Sequence, residues 1–274
     1  MLIVKPILNG TQFAIPGYAR AKIDGGLIYI RNGEERCAWI GGPDPADKAI
    51  WRQEFDRDRL MEWAEEQTER SLCILNVEHY PTHQLGKLGA MAEVIKSGNP
   101  TLKLGIWSVV PASAYYILAK YAAWKDFLAG KPHDEQDAAW WAATENAPTV
   151  EAAYKGWRSE NDLRAKILGS HIDVIVPSGY PVKEPPPDKL WMGAREPELM
   201  IAECRRLFKT KQVLLCWNPH LPNSTTRASD GYASAVIKTG LAKADGVIVW
   251  ADRWVSQSEA AGVMGQVAAF QSES

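Results

Sequence analysis

Short apolar runs recur along the chain, and each is followed by a segment whose apolar positions repeat with helical period. The clearest runs are 2–8 (LIVKPIL), 73–81 (CILNVEHYP), 102–111 (LKLGIWSVVP), 172–181 (IDVIVPSGYP), 212–222 (QVLLCWNPHLP) and 246–254 (GVIVWADRW). The pattern predicts a further strand in 35–42 and a weaker one at 27–30. Helical period is found over 46–69, 84–97, 112–128, 149–168, 194–208, 228–242 and 256–270. Asp44 or Asp47 is placed to cap the first of these, and Ser229 or Asp230 the one after 228. From residue 73 onward the strands are almost continuously apolar, as strands covered on both faces should be.

Strand–helix alternation over the whole length argues for a parallel sheet with covering helices. Seven or eight such units in 274 residues fit a single-domain α/β fold, a (β/α)8-type TIM barrel with an irregular or seven-stranded variant included. An open nucleotide-binding sheet would carry a glycine-rich turn between strand and helix, and neither GxGxxG nor GxxxxGK[ST] occurs. The segment at about 130–148 interrupts the rhythm, carries Trp140 and Trp141, and reads as a helical excursion. It would serve as a lid or binding wall, or pack its two rings against the exterior. Consecutive prolines make 181–188 a loop.

Composition narrows the function. Hydrophobic residues make up 46% and charged residues 23%, with a formal net charge of −2 and both signs scattered. Nothing in that balance would steer nucleic acid or an anionic membrane to the chain. No apolar stretch approaches the length of a membrane span, and the start reads as a strand rather than a leader. Cys37, Cys73, Cys204 and Cys216 show no CxxC spacing and read as buried small hydrophobes, which favours a reducing, cytoplasmic setting. Twelve tryptophans stand against five phenylalanines. Such an excess marks either a surface that stacks on ligands or a core built from large rings.

In a barrel the active face is assembled at the C-terminal ends of the strands. Those ends carry Asn76, Glu78, His79 and Tyr80; Trp107 and Ser108; Ser178 and Tyr180; Trp217, Asn218 and His220; and Trp250, Asp252 and Arg253. Strands that begin LCIL, VIV and VLLC should not end in such groups unless these meet water or a ligand. Alternation puts Asn76 and Glu78 on one face. A carboxyl in an enclosed, aromatic-lined mouth would have a raised pKa, which suits a general acid; the alternative is an ion-pair partner of Arg253 or Lys183. Trp250 would floor a sugar subsite or plug the barrel top, and Tyr180 would hydrogen-bond substrate or cap its loop. His79 and His83 are separated by Pro81, so no HExxH face exists, and no metal or other cofactor is expected. No GxSxG elbow occurs.

These strand ends resemble, in the same order, those of the hyaluronidase-like glycoside hydrolase barrels, with a looser likeness to chitinase-type barrels. ILNVEHYP resembles the family strand with its Asp-x-Glu motif, LGIWSVVPASAYY the next, DVIVPSGYP the strand ending in Pro-Ser-x-Tyr, QVLLCWNPH the one after it, and GVIVWAD the last. The likeness covers about residues 70–252. It implies that Glu78 is the general acid and that Tyr180 and Trp250 line the sugar site, with the substrate's acetamido oxygen as nucleophile. The family's Asp position is Asn76 here, which can hydrogen-bond an amide but cannot balance the charge of an oxazolinium-like intermediate.

The leading expectation is therefore a hydrolase acting on a carbohydrate, with Glu78 as acid and Asp252 as the best second carboxylate if one is needed. Asn76, Trp107, Tyr180, Trp217, Asn218 and Trp250 would bind substrate. The alternative is an inactive carbohydrate-binding or structural barrel.

Overall fold

The computed structural model describes residues 7–8, 11–12, 57–65, 72–75, 82–130, 146–180, 195–220, 226–249 and 262. The strands expected at 27–30 and 35–42 and the core of the excursion lie outside these, as does the helix expected at 256–270 apart from residue 262. Near the start, Ile7–Leu8 (β1) pairs antiparallel with Thr11–Gln12 (β2). The dipeptide between them in sequence is Asn9-Gly10, a strong tight-hairpin signal. The described end of the run at 2–8 thus pairs locally rather than in the parallel sheet.

Five strands form one parallel sheet in chain order: Leu72–Leu75 (β3), Lys103–Trp107 (β4), Val174–Val176 (β5), Gln212–Trp217 (β6) and Gly246–Val249 (β7). With neighbours in chain order there is no reversal point of the kind that creates the ligand crevice of doubly wound sheets. The helices are Arg57–Glu65 (α1), Leu85–Gly98 (α2), Tyr115–Leu128 (α3), Asn146–Leu168 (α4), Arg195–Leu207 (α5) and Asp230–Lys243 (α6). Among the described residues no helix is long and apolar enough to cross a membrane.

Each helix forms because its apolar positions gather on one side. Helix α2 buries Leu85, Leu88, Met91, Ala92 and Ile95, the i, i+3, i+4 spacing of a single stripe. Helix α6 starts where Ser229 accepts the backbone N–H of Tyr232 at 3.3 Å, so Ser229 is the cap.

The sheet has two buried faces of different kinds. Leu75, Leu104, Ile106, Ile175 and Val213 pack against Leu60 of α1, the α2 stripe, Leu168 of α4 and Cys204 of α5. Helix α6 approaches this side so closely that a Cβ on Gly240 would meet Val247 at 2.7 Å and Leu215 at 2.9 Å, so only glycine fits. Ile74, Trp107, Val174, Val176, Leu214, Cys216 and Ile248 occupy the opposite face and pack on one another, with no helix among the described residues against them.

At the N-terminal edge two strand pairs are fastened by the same device. The backbone N–H of Asp173 donates to Leu104 O at 2.7 Å, and its carboxylate accepts the Leu104 N–H at 2.8 Å. Asp245 repeats this on Val213, at 2.8 and 2.7 Å. Each carboxylate meets a cation from the helix leading into the partner strand, Lys96 at 2.5 Å and Arg205 at 2.9 Å. Those cations also reach backbone carbonyls just ahead of the strands, Leu102 and Lys211.

Arg205, with the Val213 N–H, holds the Asp245 carboxyl below the usual carboxylate range despite some burial. A depressed folded-state pKa contributes stability that is present above the unfolded value of about 3.9 and is lost as pH falls through the folded value. Asp245→Asn should therefore be less stable than wild type at pH 7, and the difference in urea midpoint should shrink as pH falls below about 4. A difference that persists unchanged to about pH 2 would mean that charge plays no part.

Helices α3 and α4 form an antiparallel pair: Trp124 packs with Val150, Tyr121 stacks on Tyr154 at 3.7 Å and 5°, and Leu118 meets Trp157. At 23 residues α4 is about 34 Å long, against about 17 Å for a typical strand. Its end leads into β5 at the N-terminal edge, so its first half, with α3, overshoots the C-terminal edge. The interruption expected to run to Pro148 ends earlier, because α4 begins at Asn146. Pro148 sits in the first turn, where its missing N–H has no intrahelical role.

Candidate functional site

The C-terminal edge of the sheet gathers its chemistry on the face opposite the helices. Trp107, the last residue of β4, has the parity of that face, and its ring lies 5.1 Å from Tyr180, tilted by 43°. Tyr180 is half-buried and follows a chain that keeps pairing past the end of β5. Cys216 N–H donates to Pro177 O at 2.9 Å, and Gly179 N–H donates to Cys216 O at 2.7 Å. Ser178 is buried in that extension, and its hydroxyl accepts the Tyr180 N–H at 3.3 Å.

Cys216 lies at the centre of this group. Burial pushes its thiol up to about 12. At neutral pH it is an inert, protonated thiol packed beside the Trp107 and Tyr180 rings.

Ser108 follows Trp107 with φ of 56°, the left-handed region that a serine seldom occupies. The turn sends Val109 and Val110 outward into the layer between sheet and helices, while Ser108 N–H still donates to Val176 O at 3.0 Å. The Ser108 and Ser113 hydroxyls hydrogen-bond across the tight loop that results.

Helix α4 grips that loop along one face. Trp157 Nε1 donates to Ala112 O at 2.8 Å, and Asn161 Oδ1 accepts Ala112 N–H at 2.9 Å. Arg164 Nη1 reaches Val109 O at 3.4 Å. The spacing of these residues, one helical turn after another, aligns them on a single stripe. Arg164 is only 8% exposed, and its guanidinium also holds Glu160 Oε1 at 2.6 Å and Thr82 Oγ1 at 2.9 Å. These bonds from Arg164, with one from Thr82, keep the Glu160 carboxyl below its ordinary range. Asn161 in turn donates to Glu203, which Arg206 binds in a two-pronged pair at 2.7 Å on each side.

Of the residues expected at the site, Trp107 and Tyr180 lie side by side. Trp217 is wholly buried and shares the parity of Val213 and Leu215, the side that faces the helices. There the ring packs within the fold. Asn218 spends its carbonyl oxygen on the backbone N–H of His220 at 2.9 Å, closing the turn after β6. Asn76, Glu78, Trp250 and Asp252 lie outside the described residues. Cys204 and Cys216 are free and buried, as expected of small hydrophobes. Trp124, Trp157 and Trp217 are buried and belong to packing, while Trp107 keeps 8% exposure at the strand end.

One carboxyl was missed by pattern reading. Glu196 lies in the first turn of α5, at the end nearest the C-terminal edge, and burial pushes its pKa up to about 7. Its tetrad, Arg-Glu-Pro-Glu, reads as an ordinary polar helix start. Only tertiary enclosure changes its titration.

No family model matches the chain, and no curated protein matches it in sequence. Among solved structures it is similar to a monoclinic crystal structure of bee venom hyaluronidase. The identity is 13% over 80% of this chain and 73% of that chain, with a TM-score of 0.50. A structure of bee venom hyaluronidase in complex with a hyaluronic acid tetramer aligns at 13% identity over 90% and 82% of the two chains, with a TM-score of 0.48. At this identity the likeness is one of fold.

Proposed function

We propose that this chain is a closed (β/α) barrel of glycoside hydrolase type that takes a carbohydrate at the C-terminal edge of its sheet, with Glu78 as general acid. The observation that carries the reading is the Trp107–Tyr180 pair over Cys216, an aromatic wall on the sheet face that no described helix covers. Such rings offer apolar faces to the C–H side of a sugar and a hydroxyl to its polar edge. Closure is supported by the sheet itself: strands in chain order, helices on one face, and a second face buried by its own side chains, the arrangement of a barrel interior. The fold likeness to a hyaluronidase supports the carbohydrate class.

In this reading Asn76 and Trp250 complete the sugar site beside Glu78. Nucleophilic help comes either from the substrate's own acetamido group or from a second carboxylate, Asp252. A carboxyl separation of about 5–5.5 Å would mark a retaining pair and about 6.5–9.5 Å an inverting one.

Asn76 favours a second reading, a barrel that binds carbohydrate without cleaving it, because an amide there cannot carry the compensating charge. One experiment separates the two. Oligomers of hyaluronan and chitin, with a set of aryl glycosides, are incubated with the protein; product release is followed by chromatography and binding by calorimetry. Turnover supports the hydrolase, and binding without product supports the second reading. Neither binding nor turnover across the panel would sink both.

A further inference from the structure

We propose that Arg164 is a positioning residue that ties the chain leaving β3 to the chain leaving β4, so that the two sides of the candidate site hold one register. The inference rests on the carbohydrate reading for its catalytic readout, but its geometry stands independently. A guanidinium inside a protein has five N–H donors to satisfy, more than one carboxylate can take. Arg164 divides its donors among three segments. Nε and Nη2 take Glu160 Oε1 at 3.0 and 2.6 Å on its own helix. Nη2 also takes the Thr82 hydroxyl at 2.9 Å, and Nη1 takes Val109 O at 3.4 Å.

Thr82 opens the short 3-10 turn Thr82–Gln84 that leads into α2, and it is the first described residue after β3. In sequence it closes the stretch 76–81, which carries Asn76 and Glu78. Thr82 itself donates to Glu160 Oε1 at 2.7 Å, so threonine, glutamate and arginine form a closed triangle. Val109 stands two residues beyond Trp107, in the loop whose left-handed Ser108 directs the chain outward. Arg164 therefore joins the exits of two adjacent strands through a buried, charged, geometrically fixed fork. Asn161 and Trp157 fix the same loop at Ala112, and the link from it to Thr82 passes through Arg164 and Glu160. Misplacing a catalytic group by an ångström costs about a hundredfold in rate, so such a fork acts on turnover before it acts on affinity.

The test uses the full chain and three variants, Arg164→Lys, Arg164→Met and Thr82→Val. The last removes a hydroxyl at the protein surface and should leave folding intact. Arg164→Met is expected to lower kcat on the best glycan of the panel by about 10–100-fold with KM within about twofold, and Arg164→Lys to recover part of the loss. Thr82→Val should lower kcat by about 3–10-fold and add little on top of Arg164→Met, because the two act as one unit. A readout free of catalysis accompanies these. Amide hydrogen exchange at Val109 and Ala112 should quicken by about fivefold or more in Thr82→Val, which lies in a different segment.

Unchanged exchange at those amides in Thr82→Val overturns the clamp whatever the protein's activity. A fall in thermal midpoint with kcat unchanged in Arg164→Met also overturns it, leaving a merely structural arginine. If the wild type neither binds nor cleaves any glycan, the carbohydrate reading fails, and the exchange measurement alone still decides whether the two exits are coupled.

Discussion

Glu78→Gln is expected to lower glycan hydrolysis by about 10²–10⁴-fold, the range for loss of a general acid–base group, while glycan affinity stays within a few-fold. Glutamine keeps the shape and hydrogen-bonding reach of the acid but has no proton to give to the departing oxygen. The loss should depend on the leaving group. Natural glycosidic linkages and poor phenol leaving groups need protonation and should show the full effect, whereas a dinitrophenyl glycoside, which departs unaided, should show much less. Steady-state kinetics over such a series, with calorimetry for affinity, makes the measurement. A variant as active as wild type on natural linkages would remove Glu78 from the acid role. Glu196 would then be the carboxyl to test next, since burial already brings its titration to about 7.

The largest expected effect on stability belongs to Trp217. Its ring is wholly buried at the end of β6, on the side that faces the helices. Trp217→Ala should cost about 3–5 kcal/mol through lost burial and the cavity left behind. For a domain of this size that corresponds to a fall on the order of 10 °C in the thermal midpoint. Trp217→Phe should cost much less, for a reason beyond volume. The indole N–H finds no hydrogen-bond partner among the described residues. Replacing it with a ring that has no donor removes a desolvated group and offsets part of the lost packing. Calorimetric melting of both variants, with glycan binding on Trp217→Phe, tests the assignment. Unchanged melting with affinity reduced tenfold would return Trp217 to the sugar site.

Trp217 also shows why part of the site was not legible. The sequence QVLLCW does not show which residues face the helices, because every residue from Val213 to Trp217 is apolar and either set could do so. The neighbours decide: Gly240 of α6 admits Leu215 and Val247, which leaves Leu214 and Cys216 for the other face. Cys216, read as an ordinary core thiol, thereby becomes the residue beneath Trp107 and Tyr180. The nearness of those two aromatics was legible, because both stand at the ends of adjacent parallel strands.

Element positions followed the same logic. Helices α2, α3 and α5 fall close to the stretches that their periodicity predicts. Strand β4 stops at Trp107, short of the apolar run to 111, because Ser108 turns left-handed and Val109 and Val110 bury themselves as loop. Hydrophobicity reports burial there, not strand. Asn161, Arg164 and Glu203 were invisible for the converse reason. Polar residues inside a helix read as solvent-facing until a neighbouring loop docks against them.

The paired aspartates at the sheet's lower edge divide the strands into unequal seams. Asp173 staples β4 to β5 and Asp245 staples β6 to β7, while β5 and β6 have no such aspartate and are joined by their register, by Cys216 pairing with Pro177 and Gly179, and by Lys211 reaching the Ile172 carbonyl. Tyr180 extends from the β5 chain beside Cys216 of β6, so a molecule bound against that tyrosine would touch both strands. Occupancy and the integrity of that seam of the sheet would then rise together.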